Sequence, residues 1–442
     1  MNALAKNKFV SSLAILAIAT SAVFAPDAVI LLVGVAAVIF LILHFPFFGI
    51  AAIVVAAFLG EFGRVEFAGF SFLILDIVAI STFAIWILRK MWRKEKIIFD
   101  QVGVALLIFW GIAILSLIFG SFELANDEVR FAFLRLLRFV GISGMFFVAR
   151  DLPKKMNRKA DDFLIFGGTI FALAGFILLR MIPDFESAGL AELGWDPHIG
   201  RLTGTFLDPN FAAGAFAFLL ALVGGKFLGE RKLGRKILFL ISGGILGIAL
   251  ILTFSRSGLL ALGISGLILG IFVERKILLA MLVVGFLAIS TSPRLAERIG
   301  EFGKSLDSLG GESVQVLDPT AQLRFESWWE GGRIFAENPV LGVGFGGYKF
   351  AQNFAAEDSH SATGSDASIL NVAAETGIFG LSAFLFFLGN LIFASWRKKE
   401  FGFLAALGGI LAHSVFVNSI FFAPIGLIFF LAAGLATKNY SK

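Results

Sequence analysis

Val102 to Gly120 reads VGVALLIFWGIAILSLIFG, a run without a single charged residue. As helix, at about 1.5 Å per residue, it is long enough to cross the roughly 30 Å of hydrocarbon in a bilayer. Lipid offers no partner to an exposed amide, so a run of this kind satisfies its own backbone only as helix. Runs of the same character recur on both sides: Phe9–Ala25, Ala28–His44, Phe47–Gly60, Phe67–Leu88, Phe131–Ala149, Phe163–Met181, Phe211–Leu228, Ile237–Phe254, Leu259–Val273, Ile277–Thr291, Ser368–Trp396, Phe401–Asn418 and Phe421–Thr437. The fold class is therefore all-α: a polytopic membrane protein of about 12–14 transmembrane helices with a large external loop. The spread in that count comes from His44 to Gly60, where a short run follows Pro46 and a re-entrant hairpin fits as well as two crossings.

Composition agrees. The 442 residues are 58% hydrophobic and 16% charged, against about 25% charged in a soluble domain. Cysteine is absent, which excludes disulfides, iron–sulfur clusters and thiolate zinc sites. The net charge of +5 belongs with the loops of a membrane protein rather than with nucleic acid. Lys6 and Lys8 followed by an apolar run imitate a secretory signal, but Pro26 directly after Phe24-Ala25 obstructs cleavage, so a retained first helix is expected.

Lys and Arg bias sets the orientation. Arg89 to Lys94, Arg150 to Lys159, Arg231 to Lys236 and Arg397 to Lys399 fall on one side if every run crosses. Roughly 24 basic residues lie there against about 8 acids, while the opposite face holds roughly 10 basic and 22 acidic residues. The basic side is the cytoplasm, both termini lie on it, and the chain belongs in a cytoplasmic (inner) membrane. Residues 1–200 supply N-terminal helices, and 201–442 form a second region that includes the external loop 292–366.

Four external segments carry candidate chemistry. In RLTGTFLDPNFAAG, Arg201 precedes a helix that Asn210 is placed to cap, and that helix start favours a phosphate; ordinary capping beside a solvated arginine fits the same letters. In TFSRSG, Arg256 is flanked by Ser255 and Ser257 at the external boundary of two apolar helices. A guanidinium with serine donors suits bidentate phosphate contact, and a snorkelling boundary arginine has the same pattern. Asp318-Pro319 starts a helix with Arg324, Trp328, Trp329 and Arg333, where arginine beside tryptophan suits a sugar and its diphosphate, as it also suits an interfacial helix on lipid headgroups. In DASILNVAAETG, Asp366 opens a membrane helix as general base or as N-cap, and Glu375 lies about two and a half turns deeper, where a buried carboxylate demands a partner. Asp76, Arg135, Arg138 and His413 fall inside spans, where charges mark function or pair with each other. None of the four histidines shows metal-ligand spacing, and no metal or cofactor is expected.

Together, RLTGTFLDPNFAAG, TFSRSG, the block RFESWWEGGRIFAENPVLGVGFGGY and the block HSATGSDASILNVAAETGIFGL resemble, in this order, the O-antigen ligase and O-antigen polymerase superfamily over roughly Arg201 to Leu381. The resemblance implies a multispanning fold that transfers glycan from an undecaprenyl diphosphate carrier to a glycan, glycolipid or protein acceptor, among membrane lipid and without metal or nucleotide cofactor. It implies that Arg201, Arg256 and Arg324 hold the diphosphate and stabilise its departure. The ligases place His-Asn about nine residues before the glutamate of E-x-G; here that position is Asp366, with His360 six residues earlier. Either Asp366 activates the acceptor or His360 folds in, and the departure fits a polymerase at least as well as a ligase. Two rivals share the donor: a flippase or exporter of the lipid-linked glycan, and an O-linked protein glycan transferase. A flippase places its charges between repeated halves, whereas this sequence has no evident repeat.

Overall fold

The structure, a computed structural model, describes residues 46–67, 70–97, 99–291, 319–352 and 364–438. The expected spans Phe9–Ala25 and Ala28–His44, the retained first helix, the Asp318 cap and His360 lie outside them. The described helices are α1 (Pro46–Leu59), α2 (Ile74–Trp92), α3 (Gln101–Gly120), α4 (Asn126–Asp151), α5 (Lys154–Met181), α6 (Pro209–Gly229), α7 (Leu233–Leu252), α8 (Arg256–Phe272), α9 (Lys276–Thr291), α10 (Pro319–Glu337), the single turn α11 (Tyr348–Ala351), α12 (Ser368–Arg397), α13 (Phe401–His413) and α14 (Ala423–Ala436). Among them α3, α4, α5, α6, α7 and α12 are long and apolar enough to cross a membrane, and α8, α13 and α14 are shorter apolar helices. The chain is a multi-pass, all-α membrane protein.

Phe67 and Phe70–Leu73 depart from the expected helix Phe67–Leu88. A two-stranded antiparallel hairpin, β1 (Arg64–Phe67) and β2 (Phe70–Leu73), pairs Val65 with Phe72 and Arg64 with Leu73. Arg64 ties the hairpin across itself by donating to Ser71 Oγ at 2.8 Å, and helix begins only where Asp76 accepts the Leu73 amide at 2.9 Å. Hydropathy does not distinguish a short aromatic strand from a helical turn.

Helix starts follow their acceptors. Asp100 accepts from Gly103 N–H ahead of α3, and Ser255 from Gly258 N–H ahead of α8. Asp208 accepts from the Asn210 and Phe211 amides ahead of α6. The last corrects the expected cap: Pro209 occupies the first helical position, which makes Asp208 the capping residue and Asn210 a residue of the first turn. Likewise Ala367, not Asp366, occupies the cap position of α12.

α8 packs closely on α13 and α6, α14 on α4, and α12 on α3. Their shared interior is dense in phenylalanine: Phe109, Phe139, Phe384, Phe421 and Phe430 meet ring to ring at 5.3–6.0 Å. The C-terminal ends of α2, α4 and α6 gather ion pairs: Lys90 with Asp151 at 2.6 Å, Arg150 with Asp100, and Lys226 with Asp161. At the N-terminal ends of the same three helices lies a cavity.

Candidate active site

α12 is the element that organises this cavity. The helix breaks at Gly377, whose φ of 63° and ψ of −163° no other residue adopts cheaply. A break inside a membrane helix strands amides and carbonyls that lipid cannot satisfy. Here the PVLGVGFGG loop satisfies them: Val343 N–H donates to Ala374 O at 3.1 Å, and Ile378 N–H to Pro339 O at 2.8 Å. The Ser116 hydroxyl takes the Glu375 carbonyl at 2.7 Å. So close an approach needs glycine in the loop too, since a Cβ on Gly342 would stand 2.3 Å from the Glu375 backbone. The Glu375 side chain, 1% exposed, lies beside this loop and near Asn371 and the charge of Arg135, with its Oε1 making no hydrogen bond among the described residues. The charge that faces the buried Glu375 is that of Arg135.

The cavity above Glu375 has a volume of about 860 Å³. Its wall joins α2 (Asp76), α4 (Arg135, Arg138), α6 (Asn210), α10 (Arg324) and the α12 entry (Asp366, Glu375), over a floor containing Phe139, Phe345, Phe421 and Phe422. Arg324 reaches it from α10 with its guanidinium 5.9 Å from the Phe416 ring centre. One turn further on α10, Ser327 Oγ accepts the Asp366 amide at 2.9 Å, which fastens Asp366 to the helix that carries Arg324. Arg138 donates to Asp76 at 2.5 Å.

Of the residues singled out in the sequence, Asn210, Arg324, Asp366 and Glu375 meet in this cavity. Arg201 and Ser255 stand directly behind, both donating to Asn210 Oδ1, at 3.2 and 3.0 Å, and Ser257 lies next to Ser255. Arg256, the first residue of α8, and Trp328 are not among the residues that line the wall. Trp328 packs on Phe416, ring centres 5.7 Å apart, while Trp329 points outward, 75% exposed.

Arg333 is committed elsewhere: it pairs with Glu330 at 2.7 Å and Glu337 at 2.5 Å and donates to Ala351 O at 2.9 Å. The Glu330 contact first, and then Glu337, holds its proton more tightly than usual. Its place is a brace between α10 and α11 rather than the cavity wall. Burial pushes the nearby Tyr348 phenol above its ordinary value.

Asp76, Arg135 and Arg138 are wall residues that the sequence reading marked only as charges inside spans. Lys349 and Arg64 also line the cavity and carried no signal beyond their charge. Asp196, His198 and Asp208 bring one ligand atom each within 4.8 Å of one another, a grouping able to hold a cation. Asp208 lies ten residues from His198, so spacing did not reveal it.

The fold and cavity define a multi-pass helical membrane protein with a chamber lined by both carboxylates and the cations Arg64, Arg135, Arg138, Arg324 and Lys349, at the end opposite its basic ion pairs. Within that class, residues 237–385 match the family model described as O-antigen ligase. The match runs from α7 to the middle of α12, bears out the resemblance to the O-antigen ligase superfamily, and supports membrane glycan transfer as the general function. Arg201 and Asn210 lie just before it. No curated protein matches the chain.

Proposed function

We propose that the protein transfers glycan from a polyprenyl diphosphate donor to an acceptor hydroxyl, at the external face of the cytoplasmic membrane. One observation carries this reading: three sequence motifs from different parts of the chain converge, as Asn210, Arg324, Asp366 and Glu375, on one cavity that also holds Arg135 and Arg138. A diphosphate gathers negative charge as it leaves, and fixed cations in a partly dry cleft stabilise that charge without reorganising. Arg324 is the group for the diphosphate, with the Asn210 amide beside it. The acceptor oxygen bonds to the anomeric carbon, the bond from that carbon to the diphosphate oxygen breaks, and polyprenyl diphosphate leaves with the electron pair. The proton of the acceptor hydroxyl passes to the Asp366 carboxylate. External placement is supported by the cavity's position at the end opposite the pairs Lys90–Asp151 and Arg150–Asp100.

The test is purified protein in lipid with a synthetic polyprenyl-diphosphate oligosaccharide and candidate acceptors, read by mass spectrometry. A ladder of lengthening glycans makes the protein a polymerase, and a single transfer to a different acceptor makes it a ligase. Donor that changes leaflet intact would replace transfer with export.

A further inference from the structure

Behind the Asn210 side of the cavity runs a line of polar side chains that the transfer chemistry does not use. Ser255 Oγ lies 3.0 Å from Asn210 Oδ1 and 3.1 Å from Ser257 Oγ. Ser257 Oγ lies 3.3 Å from His413 Nε2, and His413 Nδ1 lies 2.6 Å from Ser419 Oγ. Ser255, Ser257, His413 and Ser419 are all buried.

Each hydroxyl has one proton to give, and the neutral imidazole has one. Asn210 Oδ1 can only accept, so Ser255 donates to it. The Ser255–Ser257 contact is then a hydrogen bond only if Ser257 donates, and Ser257 in turn must accept from His413 Nε2–H. Nδ1 is left to accept from Ser419. In the reverse arrangement Ser419 donates to Val417 O at 3.1 Å and His413 donates from Nδ1, which leaves no proton between Ser255 and Ser257; the first arrangement gives up the Ser419 hydroxyl bond instead, but there Val417 O still accepts the Ser419 amide at 2.6 Å. A buried contact without a proton forfeits the bond and keeps the desolvation cost.

We propose that His413 is a positioning residue for Asn210. Donation runs one way, from His413 Nε2 through Ser257 and Ser255, and with Arg201 it fixes the side-chain carbonyl of Asn210. Once that oxygen is committed, the amide nitrogen is what Asn210 offers to the cavity it lines, as a donor to a phosphate oxygen. The role rests on the diphosphate reading above; the direction of the line does not.

The test compares His413→Leu, His413→Gln, Ser257→Ala and the pair His413→Leu/Ser257→Ala in lipid nanodiscs, with the synthetic donor titrated. ¹⁵N NMR of the imidazoles runs in parallel, and the His413 signal is assigned by its loss in His413→Gln. His413→Leu and Ser257→Ala are each expected to raise donor KM about three- to tenfold, the factor for one buried hydrogen bond, with kcat within about twofold. The pair should be no worse than either single change, because both cut one line. His413→Gln, which keeps a donor and an acceptor, should recover most of the loss, and Ser257→Ala is small enough to keep the fold. Unchanged donor KM in an active His413→Leu, additive losses, or a His413 proton on Nδ1 would each overturn the proposal. If the unaltered protein consumes no donor, the transfer reading fails instead, and the tautomer still decides the line.

Discussion

Arg138 Nη2 and Asp76 Oδ2 stand 2.5 Å apart, joining α4 to the first turn of α2 at the cavity wall. The two ends differ in exposure: the Asp76 side chain is 2% exposed and that of Arg138 34%. Arg138→Gln strands a buried carboxylate, whereas Asp76→Asn strands a cation that still reaches the cavity. Breaking a fully buried pair costs about 3–5 kcal/mol; the solvated arginine reduces this for Asp76→Asn. Thermal unfolding in detergent should therefore rank Arg138→Gln as the more damaging, with the double variant partly restored. Equal losses would mean that the pair contributes only locally.

Gly377→Ala should be strongly damaging to α12. A Cβ there would stand 2.2 Å from the Val340 carbonyl oxygen at a φ of 63°, so backbone strain of about 1–3 kcal/mol adds to a clash with the loop that holds Glu375. Gly389 on the same helix is the control, since its Cβ would meet nothing within 4 Å and alanine there gains about 0.5–1 kcal/mol of helix propensity. Melting midpoints that moved alike would remove the argument that the break is built for the loop.

How much of this was legible in sequence depends on the range over which the signal acts. Helix existence was local: the apolar runs at 102–120 and 368–396 became α3 and α12 with ends shifted by a residue or less. The strands Arg64–Phe67 and Phe70–Leu73 were missed because their pairing, not their hydropathy, makes them strands. Asn210, Arg324, Asp366 and Glu375 were legible because the motif pattern carries them. Their convergence was not, since it depends on Ser327 holding Asp366 and on a loop entering a helix break. The commitment of Arg333 to Glu330 and Glu337 lay at helical spacing and could have been read from i, i+3 and i, i+4 pairing.

Lys398, just past the end of α12, gives a titration at the basic end. Burial first, and then the neighbouring charge of Arg150, lowers its ammonium to about 8. Below that value folded and unfolded chains are both protonated there. Between about 8 and the usual 10.5 only the unfolded chain keeps the proton, so this group makes stability rise with pH across that window. ¹³C-dimethylated protein, with the Lys398 signal assigned by its loss in Lys398→Arg, should show one lysine titrating near 8; a value near 10.5 would mean that the site is open to water.

Arg324→Lys and Asp366→Asn separate the two halves of the proposed reaction. Lysine keeps the charge of Arg324 but loses the planar fork that takes two phosphate oxygens, and a charge-assisted hydrogen bond is worth about 1.5–3 kcal/mol. Transfer should fall about ten- to a hundredfold, with the loss visible in donor KM as well as kcat. Asp366→Asn keeps the shape and the backbone bond to Ser327 while removing the proton acceptor, so donor binding should persist and turnover should fall by about 10²–10⁴. Full turnover in Asp366→Asn would exclude that carboxylate as the base and pass the role to another group, His360 being the first to examine. Full turnover in Arg324→Lys would show that the diphosphate is gripped elsewhere, with Arg135 and Arg138 the next cations on the wall.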